Sequence, residues 1–280
     1  MVNEQEFKAM VSLLDDEDLT ISGQISDKIM SMGTDVLPML EQAWADAPFD
    51  SPLQMRVGDI LHQLQFIAVT EGMAAWKAGD QKDLLEGLYW IARYSYPDVV
   101  LEELRDDIDM IVRAVRHQFN PDGHPIKQVK AINEVLFDQM GFGPNSRNFH
   151  NPANSMINQV LNHKRGNPIS LCAVYYLVAK KLGMPIAGVN LPNLFVLIYP
   201  HETTPFYINA FNKGLIFSKE DLQEYVRHLH IKIDPVYFEP CSHQAIIIRS
   251  LRNLIFSFKK LGDTERTNEV RSLLDIFVGN

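Results

Sequence analysis

Cysteine is scarce in this chain: Cys172 and Cys241 are the only two in 280 residues, too few for a disulfide framework or a Cys-rich zinc site. No apolar run approaches the roughly 20 residues that a membrane span needs, and the start Met1-Val2-Asn3-Glu4 lacks the apolar core of a secretory signal. Together these absences point to a cytoplasmic protein with no membrane association. Basic charge is thin as well, with 26 Lys and Arg against 35 Asp and Glu and a net charge of -9. Nucleic-acid binding needs clustered cations, and the patches His163-Lys164-Arg165 and Lys259-Lys260 are short enough to be solvated helix ends, so no nucleic-acid partner is expected. The nine histidines include no His-Glu-x-x-His pattern; His228 and His230 sit near a helix end, where positive charge suits the dipole, and His117 and His124 flank a turn. No metal site and no cofactor are expected. Gly141-Phe142-Gly143 lacks the spacing and the Lys-Ser or Lys-Thr of a phosphate-binding loop.

What is present is ample core material: 46% hydrophobic and 22% charged residues suit one large domain or two to three small ones. Helical periodicity dominates the first half. Phe7 to Leu14 reads as a short amphipathic helix, Ile21, Ile25, Ile29 and Met32 as a second, Val36, Leu37 and Leu40 as a continuation past Gly33, and Leu53, Val57, Ile60, Leu61 and Leu64 as a stripe after the Pro48 to Pro52 break. Residues 1–78 therefore resemble a helical-hairpin unit of the HEAT sort, without a repeat at fixed period. Further helices start at Asp83, break near Tyr96-Pro97, and resume through Leu101, Leu104, Ile108, Ile111, Val112 and Val115, with Glu102, Glu103, Asp106, Asp107 and Asp109 on the outer face. Asn120 to Gly123 is a turn, Ile126 to Met140 returns to helix, and Gly141 to Pro152 is a loop.

The stretch from Asn158 to Phe211 carries the most information. A helix is introduced by Arg165-Gly166-Asn167-Pro168-Ile169-Ser170-Leu171-Cys172 and ends at Leu182-Gly183-Met184-Pro185, with Pro inside the start and Gly past the end. Strands are expected over Leu194 to Tyr199 and Phe206 to Phe211, joined by Pro200 to Pro205 as an antiparallel hairpin. Ser218 with Asp221 forms a capping box for a helix to about His228. A helical pair follows from Ala245 to Leu261 and through Val270, Leu273, Leu274 and Phe277. Residues 79–239 are thus expected to hold the core domain with its leading helices, and 240–280 a tetratricopeptide-like hairpin.

Three segments, Asn154 to Leu161, Arg165 to Leu171 and Asn209-Ala210-Phe211-Asn212-Lys213-Gly214, together resemble the bacterial transglutaminase-core-like family, the group once named after a regulator of invasion genes. The resemblance implies an α+β, predominantly helical fold: a transglutaminase or papain-like core, one helix on a small antiparallel sheet, with helical extensions at both ends. It also implies a nucleophile at the start of the core helix, a histidine on the next strand and an orienting Asp or Asn on the one after. A thiol attacks as a thiolate, which a helix N-terminus and an imidazolium stabilise. Here those positions fall on Ser170, Leu194 and Asn209, so the imidazole is missing and the triad is degenerate.

Cys172, two residues farther in, is the alternative nucleophile, for a cysteine-dependent amide hydrolase or acyltransferase; its other reading is a small buried hydrophobe. Ser170 has a matching second reading as a first-turn hydroxyl that satisfies backbone groups. His201 lies seven residues past Leu194, roughly 23 Å along an extended strand, too far to replace the missing base; His163 precedes the helix. The expectation is a noncatalytic protein that binds a protein or peptide partner in the remnant groove, through Asn158, Asn167, Ser170, Cys172, Asn193, Asn209 and Asn212. Turn chemistry and capping are the competing account of those asparagines. Docking through the terminal helices is a third reading. Oligomeric state is left open.

Overall fold

The computed structural model describes residues 3–16, 18–80, 83–201 and 204–279. Met1 and Val2 of the start, and Glu202 and Thr203 within the Pro200 to Pro205 connection, lie outside the described residues. The chain divides into two compact units, Met1–Gly72 and Met73–Asn280.

In the first unit, α1 (Glu4–Leu13), α2 (Leu19–Met30), α3 (Leu37–Asp46) and the start of α4 (Pro52–Ala78) enclose one core. Phe7, Leu14, Ile29, Val36, Leu40, Val57 and Leu64 are buried there, mostly along the helical stripes read from the sequence. Asn3 and Asp18 cap α1 and α2 by accepting from backbone N–H groups two residues on. The Arg56 guanidinium donates to the carbonyls of Leu14 and Asp16, tying down the α1–α2 turn.

The second unit holds α5 (Leu84–Ser95), α6 (Leu101–Arg116), α7 (Pro125–Asn133), α8 (Ile157–His163) and α9 (Pro168–Lys181). α6 buries Leu104, Ile108, Ile111, Val112 and Val115, as its spacing requires. The helix expected from Ile126 to Met140 is regular only to Asn133; Glu134–Gln139 forms a wider turn, with Met140 N–H on the Val135 carbonyl. α9 is the central element: every residue from Ile169 to Ala179 is buried, the signature of a helix surrounded on all sides. It ends as a Schellman motif, Gly183 at φ +78° donating to Lys180 and Met184 to Ala179.

Two short strands, β1 (Gly143–Pro144) and β2 (Arg165–Gly166), pair in parallel ahead of α9. The main sheet is an antiparallel meander of β3 (Ala187–Leu191), β4 (Leu194–Tyr199), β5 (Phe206–Asn209) and β6 (Leu215–Phe217), in that order. β3 and β6 go beyond the two strands read from the sequence. β3 turns into β4 through Pro192-Asn193, Asn193 supplying the left-handed φ of 57° that follows Pro in a type II turn. β5 stops at Asn209, two residues short of the expected end, because Asn209 Oδ1 accepts from Asn212 N–H at 3.1 Å and starts a single 3-10 turn. Lys213 and Gly214, at φ 51° and 71°, then reverse the chain.

Both faces of the sheet are covered, which explains the unbroken apolar run of β4. Leu191, Val196, Ile198 and Tyr207 pack with Leu222 and Val226 of α10 (Lys219–His228) and with Phe238. Phe195, Leu197 and Ile208, of opposite parity along their strands, are buried on the side where α9 meets β4. Ser218 and Asp221 form the expected capping box of α10. α11 (His243–Leu261) and α12 (Thr264–Val278) close the chain as a hairpin, and α11 packs on α5, α9 and β3. The result is an α+β fold, mostly helical, with helical extensions around a small-sheet core.

Candidate functional site

Five residues of the segment Arg165 to Ser170 have a defined structural task. The Arg165 guanidinium donates to the carbonyls of Gly141 and Lys164. Asn167 is the N-cap of α9: its Oδ1 accepts from Ser170 N–H at 2.9 Å, while Ser170 Oγ accepts from Asn167 N–H at 3.0 Å, a reciprocal capping box. Pro168 takes the first helical position, where its lack of an N–H costs nothing. Ser170 Oγ also donates to the Asn167 carbonyl at 3.2 Å, so the hydroxyl is folded back on its own helix start and buried. A Cβ at Gly166 would lie 2.5 Å from that oxygen; glycine is what lets the hydroxyl sit there.

Cys172 is fully buried, its Sγ 3.6 Å from the Phe195 carbonyl. Burial pushes its thiol up to about 12, outweighing a hydrogen bond from the Ala210 backbone that lowers it. Leu194 packs with the Val196 and Ile198 cluster, on the sheet face that α10 covers. Asn209 has the strand parity of Tyr207, on that same face, and caps the turn at Asn212. Sheet alternation therefore puts Leu194 and Asn209 together at one end of the sheet, while Ser170 lies at the start of α9 on the other side.

The histidines weighed as substitutes stand elsewhere. His163 contacts Gln159 Oε1 at 3.1 Å on the exposed side of α8. His201 is exposed beyond the far end of β4. The structure brings His150 forward instead: with Phe149 it reaches the mouth of α9 from the Gly141 to Pro152 loop. Asn154 holds that loop, its Nδ2 donating to the Asn148 and Phe149 carbonyls at 2.8 and 2.9 Å and its Oδ1 accepting from Asn145.

A cavity of about 210 Å³ opens at this point. Asn167, Pro168 and Ile169 of the α9 start form one wall, Asn193 and Phe195 of the β3–β4 turn a second, and Phe149 and His150 a third. α11 supplies the fourth through Arg249, Asn253, Phe256 and Ser257. Of the seven groove residues read from the sequence, Asn167 and Asn193 line this cavity. Ser170 and Cys172 are buried behind it, Asn209 and Asn212 pair with each other, and Asn158 lines a separate depression beside Tyr96 and Asp107. Phe149, His150 and the four α11 residues were not singled out from the sequence. The signal available was the spacing Arg249, Asn253, Ser257, a polar stripe with a four-residue step along the helix.

A family model described as the Transglutaminase-like superfamily matches residues 102–252, a span that runs from α6 through the small sheet into α11. The chain belongs to the transglutaminase-like superfamily. Its transglutaminase-like domain has curated relatives in bacteria and in mammals. A UPF0162 protein of Xylella fastidiosa is 32% identical over 170 residues, covering 59% of this chain and 60% of the relative. A UPF0162 protein of Vibrio cholerae is 26% identical over 176 residues, covering 61% and 65%. Human F-box only protein 21 is 26% identical over 251 residues, covering 78% of this chain and 40% of that protein. The chain thus spans about 60% of the length of the Xylella relatives it matches. No solved structure matches. Among the described residues, no helix is long and apolar enough to cross a membrane.

Proposed function

We propose that this transglutaminase-like domain is noncatalytic and binds a peptide segment of a partner protein in the cavity before α9. The observation that carries the reading is the state of the three positions where the superfamily's chemistry would sit. Ser170 Oγ is committed to a capping box, the strand position is Leu194, and Asn209 is occupied in capping a turn. A serine becomes nucleophilic only with a base in hydrogen-bond reach, and among the described residues the Ser170 hydroxyl bonds only to Asn167 backbone groups. The alternative nucleophile, Cys172, is buried with a thiol pushed up to about 12, opposite to the depressed pKa of a reactive cysteine.

The groove outlasts the chemistry. Phe149 and Phe256 are 46% and 49% exposed at its mouth, and exposed aromatic side chains are enriched where proteins bind one another. The reading is tested by selecting binders from an unbiased peptide display library with the full chain. Peptides that lose binding on Phe149→Ser with Phe256→Ser, but not on Cys172→Ala, are the expected result. Turnover of thioester or amide reporters, abolished by Cys172→Ala or Ser170→Ala, would overturn it.

A further inference from the structure

Three polar side chains of α11 face the cavity one turn apart: Arg249, Asn253 and Ser257. Ser257 is only 6% exposed and, like Asn253, makes no side-chain hydrogen bond among the described residues. Its hydroxyl keeps solvent access at the cavity wall, where it is available to donate to a group that enters. Arg249 is half-buried, and its one side-chain hydrogen bond among the described residues is to Asn190 Oδ1 at 3.5 Å, at the limit of such a bond. No carboxylate among the described residues pairs with it. Burial and the neighbouring Arg252 hold its guanidinium below its ordinary pKa, as befits a cation short of an anion.

The surroundings point the same way. Neither this cavity nor the adjoining depression, which Arg147 and Lys260 line, contains an Asp or Glu. In a chain with 35 acidic residues and a net charge of -9, a carboxylate-free concavity holding Arg147, Arg249 and Lys260 complements a negative group. At about 210 Å³ the cavity falls short of the roughly 300–1,000 Å³ usual for small-molecule sites, and it suits one inserted side chain better than a cofactor.

We infer that the Arg249, Asn253 and Ser257 stripe is an acid-reading pocket: it receives the Asp or Glu side chain of the bound peptide, with Phe149 and Phe256 contacting the residue beside it. This rests on the binding reading above and names its ligand chemistry. Arg249 supplies the planar fork that matches a carboxylate, and Asn253 and Ser257 supply N–H and O–H donors from the next two turns.

The test uses the full chain on an array of hexapeptides with a central Asp or Glu flanked by Phe, Tyr or Leu, each matched by its Asn or Gln counterpart. Acidic peptides are expected to bind at least tenfold more tightly than their amide counterparts. That preference is expected to vanish in Arg249→Gln and in Asn253→Asp, which places a like charge in the pocket; thermal melts establish that both variants are folded. Binding that ignores the carboxylate yet fails in Phe256→Ser overturns the acid-reading pocket and leaves the groove intact as a peptide site. Binding by no peptide on the array, alongside an empty library selection, overturns both.

Discussion

At the residue scale, the motifs that mark the family serve folding in this chain. Gly166 and Ser170 are the sharpest case, because a methyl at 166 meets the serine oxygen at 2.5 Å. Gly166→Ala is expected to cost about 1–3 kcal/mol, the range of core overpacking. Ser170→Ala in the same chain should return part of that loss by removing the oxygen. A denaturant cycle checks this, with a coupling of about 1 kcal/mol expected; simple additivity would mean the hydroxyl is not packed on Gly166. Gly214 is held the same way: at φ +71° a Cβ would overlap Asn133, whose Nδ2 donates to the Gly214 carbonyl at 3.0 Å. Cys172 adds a pH signature. Its folded thiol is raised to about 12 from an ordinary 9.0, so between about pH 9 and pH 12 the unfolded chain releases a proton that the folded chain keeps. Stability from this group is full below pH 9 and falls as pH rises, by roughly 1.4 kcal/mol per unit. Cys172→Ala should flatten that part of the alkaline limb in a stability profile. The capping tasks of Asn167 and Ser170 were legible in the sequence, since Pro and Ser at fixed offsets after Asn are a helix-start signature. The role of Gly166 was not, because it depends on where the Ser170 hydroxyl turns.

At the scale of elements, local periodicity carried most of the helices and the strands β4 and β5, because buried faces repeat at the period of their own element. It missed β3 and β6, strands that owe their place to pairing, and it extended β5 through Phe211, where a side-chain cap competes with the ladder. The site was less legible for the same reason: its cavity joins a loop, a turn and two helix segments far apart in sequence. Strand alternation also decides what grafting can do. Leu194 lies with Val196 on the α10 face, so Leu194→His with Ser170→Cys is expected to create no ester hydrolysis above background. Measurable acyl-enzyme by mass spectrometry in that double variant would show that the two positions converge after all. α11 both packs on α5, α9 and β3 and lines the cavity, so deleting residues beyond Pro240 strips the buried Ile246, Ile247, Leu251, Leu254 and Phe258. That deletion is expected to unfold the second unit, seen as loss of its cooperative melt, and it cannot separate docking by the terminal helices from docking in the groove.

At the scale of the whole molecule, the two compact units divide within α4, between Gly72 and Met73, whereas the sequence suggests a boundary after residue 78. The last turns of α4 are physically part of the second unit. Trp76 Nε1 donates to the Asp83 carbonyl at 2.7 Å, its ring meets Phe277 edge-on at 6.1 Å, and Lys77 Nζ donates to the Ile276 carbonyl at 2.6 Å. A chain beginning at Met73 should therefore melt several degrees above one beginning at Gly79, which loses a Trp that is only 5% exposed; losses of that kind run to about 3–5 kcal/mol. Equal melting temperatures would place the boundary at the later position. The fold as a whole holds a transglutaminase-like core in which Ser170, Leu194 and Asn209 serve capping and packing. The decisive measurement is the rate at which the native chain is alkylated at Cys172 near neutral pH by a thiol-directed electrophile, against denatured protein and with Cys172→Ala and Cys241→Ala as controls. A thiol at about 12 instead of 9.0 holds roughly a thousandfold less thiolate, so native labelling of Cys172 far slower than in the denatured chain is expected. Fast labelling confined to Cys172 in the native protein would contradict a noncatalytic domain and restore the enzyme reading.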